Sequence, residues 1–211
     1  MGERADGSAA GAMRSSTAAF IGAAWLAAAA ALGAAGVVAR LRPPVPQLVL
    51  AGLTAGLLAA GSACPPLRRW ALALDPRAVV ALHLTRFFAG SYFLVLCGRG
   101  EMPEAFAVPA GWGDIAVACL ALVLLAAVNP RARAGRRFYL AWNVLGLIDI
   151  LGVVGNAAAQ AMRDPESMRE LLRMPLSLLP TFLVPLIIAS HVLLFFTLRR
   201  KPGLESATPA T

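Results

Sequence analysis

Charge is scarce in this sequence. Asp, Glu, Lys and Arg make up 14% of its 211 residues while 59% are hydrophobic, whereas a soluble domain is about a quarter charged and about half apolar. A water-soluble fold is excluded on that ground. Cysteine is scarce as well. Cys64, Cys97 and Cys119 lie in separate elements with no CxxC or Cys/His spacing, which argues against a disulfide framework or a zinc site and leaves each as a small packing residue. Missing too are HExxH, GxSxG, a Walker loop and GxGxxG. Ser91, Ser177 and Ser190 carry no motif around them. The sequence therefore names no catalytic residue, metal or cofactor, and an enzyme is the less favoured class.

What is present is a series of long uncharged tracts separated by short basic segments. Several reach the roughly 20 residues that cross about 30 Å of hydrocarbon. They predict an all-α fold, a polytopic transmembrane bundle of six spans at about 18–39, 47–63, 78–97, 110–128, 138–161 and 177–198. Residues 1–17 read as a disordered cytoplasmic N-terminus and 199–211 as a cytoplasmic tail. The first span is too long for the h-region of a cleaved signal peptide, which is about 7–15 residues. Gly52 and Gly56 form a GxxxG pair that would let another helix approach the second span. Pro109 and the turn-like Gly111-Trp112-Gly113 read as the entry to the fourth. Pro180 and Pro185 fall within the sixth, where neighbouring groups re-satisfy the carbonyls that proline frees.

The formal charge of +8 lies in the segments between spans rather than on one face, so it sets topology and does not indicate a nucleic-acid partner. Twelve of the nineteen Lys and Arg fall on the side of the N-terminus, the 64–77 and 129–137 loops and the C-terminus. Six fall on the other, namely Arg40, Arg42, Arg99, Arg163, Arg169 and Arg173. The positive-inside rule then places both termini in the cytoplasm. The basic segments also suit anionic lipid headgroups.

The remaining arginine, Arg86, lies inside the third span, and Asp149 lies inside the fifth. A charge at the middle of a span costs about 2.5–3.5 kcal/mol on insertion scales and calls for a partner or a wet cavity. At 1.5 Å per residue Arg86 comes out roughly 12 Å from the cytoplasmic boundary and Asp149 roughly 16 Å, within an arginine's reach. Asp114 competes as the partner. It also fits the first turn of the fourth helix, where a carboxylate meets the positive dipole end, and that reading is preferred. On a helical wheel His83, Arg86, Gly90 and Cys97 share one side, as do Trp142, Asp149, Asn156 and Gln160, while Asn143 points elsewhere. His83 and His191 fall at one depth, as a bis-histidine haem would require. Hydrogen bonding between helices is the plainer account.

Three runs carry a resemblance: Met102 to Asp114 with its PAGWGD end, Trp142 to Asp149 as WNxLGxxD, and Pro180 to Pro185. Together they resemble a group of small bacterial polytopic membrane proteins of about six helices with no assigned activity, over about residues 83–200. The resemblance implies a bacterial cytoplasmic membrane location. The first two spans are generic Ala/Leu sequence. The functional expectation is a polar pocket among helices three to six, lined by Arg86, Asp149, His83, Asn156, Asp114 and His191, that binds or moves a small solute or protons. The alternatives are a structural or accessory membrane subunit, with oligomerisation possible, and a haem protein. The lipid bilayer is the one partner the composition itself demands.

Overall fold

The computed structural model describes residues 15–199. They form α1 (Ser15–Ala34), α2 (Val45–Ala63), α3 (Pro65–Leu72), α4 (Pro76–Leu82), α5 (Thr85–Gly98), α6 (Glu104–Ala127), α7 (Arg133–Arg163) and α8 (Val184–Arg199). Short 3₁₀ turns cover Val38–Arg40 and Arg169–Leu172, and a π-helical turn covers Leu179–Leu183. Among the described residues there is no strand. Six helical stretches are long and apolar enough to cross a membrane: Ser15–Ala34, Val45–Ala63, Pro76–Gly98, Glu104–Ala127, Arg133–Arg163 and Leu179–Arg199. The expected N-terminal segment and tail lie outside the described residues, except that Ser15, Ser16 and Thr17 are helical and Arg199 closes α8.

Local chemistry sets the boundaries. Pro43, Pro44, Pro65 and Pro66 bracket α2, since the ring is accepted at a helix start and rejected within it. Asp75 starts α4, its carboxylate accepting from the Arg77 amide at 2.9 Å. At the other end of α6, Arg77 donates to the Leu125 and Val128 carbonyls, closing two acceptors left open there. Arg136 does the same for α8, donating to the Leu198 carbonyl at 3.2 Å.

The third span is interrupted. His83 and Leu84 form a tight turn of i to i+3 bonds between α4 and α5, and the Thr85 hydroxyl donates to the Leu82 carbonyl at 2.7 Å. The fourth begins earlier than its predicted boundary. Pro109, Gly111, Trp112 and Gly113 lie inside α6 rather than forming a turn. Proline has no N–H for the carbonyl four residues back, so Pro109 frees that of Ala105. Asn156 Nδ2 of α7 donates to it at 2.9 Å. The same repair occurs at Pro185, whose missing donor frees the Thr181 carbonyl; Trp25 Nε1 of α1 donates there at 3.0 Å.

The helices from α4 to α8 make the bundle. One cluster, with Val80, Val117, Ala121, Tyr139, Trp142 and Leu194, fills one end. A second, with Phe93, Leu96, Met102, Phe106 and Met168, fills the other. By contrast α1 and α2 bury almost nothing. At Gly52 and Gly56 an added Cβ would meet no atom within 4 Å, so the expected close approach is not made there. It is made between α5 and α6, where a Cβ on Gly90 would lie 2.5 Å from the Gly111 carbonyl. The cysteines differ from expectation as well. Cys64 and Cys119 are exposed, and Cys97 alone packs, against the second cluster.

Candidate functional site

Arg86 is the second residue of α5, just beyond the break between α4 and α5, and is 1% exposed. Because Gly90 and Gly111 lack side chains, α6 comes close enough for Asp114 to meet it. Arg86 Nε and Nη2 both lie 2.6 Å from Asp114 Oδ1. Nη1 donates to the Gly146 carbonyl of α7 at 3.2 Å, and Nη2 also pairs with Asp149 Oδ2. Gly113 makes room for that second carboxylate, which would collide with a Cβ at this position. The arginine therefore joins both candidates instead of choosing. Asp114 is in the third turn of α6, since the helix starts at Glu104, and its carboxylate partners Arg86 rather than the helix dipole.

One guanidinium between two carboxylates gives the three groups a formal charge of −1. Nothing else charged bonds to them among the described residues. Asp149 is the more exposed member, with its side chain 21% exposed against 5% for Asp114.

Beyond Gly146 lies a second polar group. His83 and His191 are fully buried with ring centroids 4.3 Å apart, and Trp142 packs on both at 4.9 and 5.6 Å. The Ser190 hydroxyl spends its proton on the Ile187 carbonyl at 2.7 Å, so it accepts from His83 Nε2 at 3.0 Å. Asn143 donates through Nδ2 to the His191 carbonyl at 3.0 Å, so its Oδ1 accepts from His191 Nδ1 at 2.8 Å. These bonds leave a lone pair on His83 Nδ1 and on His191 Nε2, and both nitrogens are buried without a partner. The direct ring contact leaves no slot between the imidazoles for a porphyrin.

A cavity of about 790 Å³ opens on the other side of the charged cluster. Arg86 and Asp114 are on its wall, with Phe93, Phe106, Ile150 and Val154 among its apolar lining. Its mouth carries Arg40, Arg42, Glu166 and Arg169, where the 38–40 and 169–172 turns pack together. Asp149, His83, His191 and Asn156 are not on the wall. Of the six residues expected to share one pocket, two line the cavity, Asp149 joins them from behind, and the histidines form a separate buried pair. Asn156 repairs a helix instead. Asn143, Ser190 and Trp142 complete the histidine site. Asn143 and Trp142 carried a sequence signal, one as a buried amide off the main polar stripe and one on it, and Ser190 carried its position next to His191.

Neither the curated proteins nor the solved structures searched give a match to this chain. A family model does match, over residues 43–199, from just before α2 to the end of α8. The match takes in α2, although its sequence, like that of α1, is generic Ala/Leu. The chain belongs to the family described as Domain of unknown function (DUF8737).

Proposed function

We propose that the protein is a multi-pass protein of the bacterial cytoplasmic membrane, with both termini cytoplasmic, whose cavity binds or passes a small solute or protons. The observation that carries this reading is the Arg86, Asp114 and Asp149 cluster, of which Arg86 and Asp114 are buried on the wall of a cavity of about 790 Å³. Pockets of about 300–1,000 Å³ with few convergent polar groups suit small ligands, and ionisable groups inside spans mark ion or substrate paths. A cluster of formal charge −1 takes up a proton or a cation, and neutralising one carboxylate commits Arg86 to the other. Asp114 faces the cavity and Asp149 does not, so the exchange of partners couples the cavity to the far side of the cluster.

The orientation is tested by labelling single cysteines on a background lacking Cys64, Cys97 and Cys119. Arg131→Cys should react only from the cytoplasmic side and Arg99→Cys only from outside. Flux is tested in vesicles containing a pH-sensitive dye. Asp149→Asn should insert and melt near the parent yet lose proton movement, and a fully active variant would sink the idea.

A structural subunit is the second reading, favoured by how little of α1 and α2 is buried. In that case the triple variant Arg86→Leu, Asp114→Asn, Asp149→Asn, which strands no charge, should keep its phenotype.

A further inference from the structure

We propose that the cavity is a binding site for a membrane phospholipid with an acidic headgroup, its acyl chains inside and its phosphate at Arg40 and Arg42. The inference rests on the reading that the cavity is a ligand site and names the class of ligand.

Three observations converge on it. The first is the way in. α2 packs on α8 and on the Leu179–Leu183 turn, and no substantial packing joins it to α5, α6 or α7. Pro46, Leu50 and Ala51 of α2 nevertheless line the cavity opposite Val153, Ala157 and Ala161 of α7. The cavity thus lies between the two helices, with Leu50 packed on the Ile150, Val184, Ile187 and Ile188 cluster, and in a bilayer that space is a side entrance at chain depth. A lipid reaches it without leaving the membrane, and the mostly apolar lining suits hydrocarbon.

The second is the charge at the mouth. Arg169 is paired with Glu166 at 2.8 Å, and Arg173 with Glu170. Arg40 and Arg42 are exposed and have no carboxylate within ion-pair distance among the described residues. Two uncommitted guanidiniums beside an apolar chamber match a phosphate carried on hydrocarbon. Just inside them Gln47 lines the cavity, with its Oε1 buried and without a partner. It is placed to accept from a headgroup hydroxyl.

The third is the closed end. Arg86 already meets two carboxylates and a carbonyl, which take four of its five N–H donors, and the cluster's formal charge of −1 repels an acidic headgroup. Chains therefore point inward and the phosphate stays at the mouth.

The full-length protein, purified in mild detergent and stripped of lipid, would be titrated with phosphatidylglycerol and with phosphatidylcholine of the same chains. Native mass spectrometry counts the bound lipid, and soluble glycerol phosphate serves as a competitor. Phosphatidylglycerol should bind more tightly, and Arg40→Gln and Arg42→Gln should each weaken it about fivefold while leaving phosphatidylcholine unchanged. Filling the chamber with Ala157→Trp, or with Ala158→Phe if the first variant melts early, should weaken both lipids. Equal binding of the two lipids with silent arginine variants overturns the headgroup assignment and leaves a cavity ligand standing. Lipid binding untouched by both filling variants overturns the site itself. Displacement by glycerol phosphate alone would show a soluble phosphate ligand and overturn the lipid assignment. Loss of proton movement in Asp149→Asn, read separately, bears on the proposed function and not on this one.

Discussion

Replacing Arg86 by leucine should be the most damaging single change in the charged cluster, and restoring charge balance should undo much of the damage. In the parent one cation serves two carboxylates, with formal charge −1. Arg86→Leu raises this to −2 in a site where Asp114 is 5% and Asp149 21% exposed. Stranding a buried charge costs about 3–5 kcal/mol. Asp114→Asn removes the charge from the partner that receives two of the arginine's donors, and charge-assisted bonds contribute about 1.5–3 kcal/mol. Asp149→Asn leaves the buried Asp114 pair whole and should cost about 1 kcal/mol. The triple variant Arg86→Leu, Asp114→Asn, Asp149→Asn buries no charge and should regain at least about 2 kcal/mol over Arg86→Leu alone. Reversible unfolding in mixed micelles, followed by helicity, gives the four values. The reasoning fails if the triple variant is no more stable than Arg86→Leu, or if Asp149→Asn costs as much as Arg86→Leu.

Two further outcomes test the packing. Gly90→Ala would press a methyl against the Gly111 carbonyl and Asp114 Cβ, at 2.5 and 2.9 Å, and should cost at least about 1–3 kcal/mol with early melting. Gly52→Ala meets nothing within 4 Å and should leave stability unchanged or raise it by up to about 1 kcal/mol. The Asn156 repair is read by a double-mutant cycle. Asn156→Ala should cost about 0.6–1.7 kcal/mol in the parent and close to nothing beside Pro109→Ala, where a backbone N–H returns to the Ala105 carbonyl; equal costs in both backgrounds would contradict it.

The helices were legible in the sequence because hydrophobic length is a local property. Six apolar tracts are written there, and six long apolar helical stretches are found among the described residues. The exact start of α6 was not legible, since Pro109 and Gly111-Trp112-Gly113 carry turn composition and stay helical through contacts supplied by other helices. Spacing along the third span also put His83, Arg86, Gly90 and Cys97 on a single face; the first three are buried and Cys97 is partly so. Pairing is a different matter. Whether Arg86 meets Asp114 or Asp149 depends on how closely two helices approach, and that depends on glycines whose partners lie on other elements.

Asn156 shows why polarity inside an apolar tract is an incomplete guide to a site. Its position on the same stripe as Asp149 suggested a pocket residue, yet its amide answers Pro109 on another helix. Trp25 answers Pro185 in the same manner from α1, which gives α1 a structural attachment that its apolar sequence did not announce. In hydrocarbon a carbonyl freed by proline has no water to bind, so every interior proline requires a donor somewhere in the fold. Part of the polar inventory of such a chain is therefore fixed by its prolines. Once Asn156 and Trp25 are assigned to that task, Arg86, Asp114, Asp149, Asn143 and the two histidines are left with contacts to one another that no backbone defect calls for. Those are the groups on which selection for function, rather than for helix repair, has to be sought.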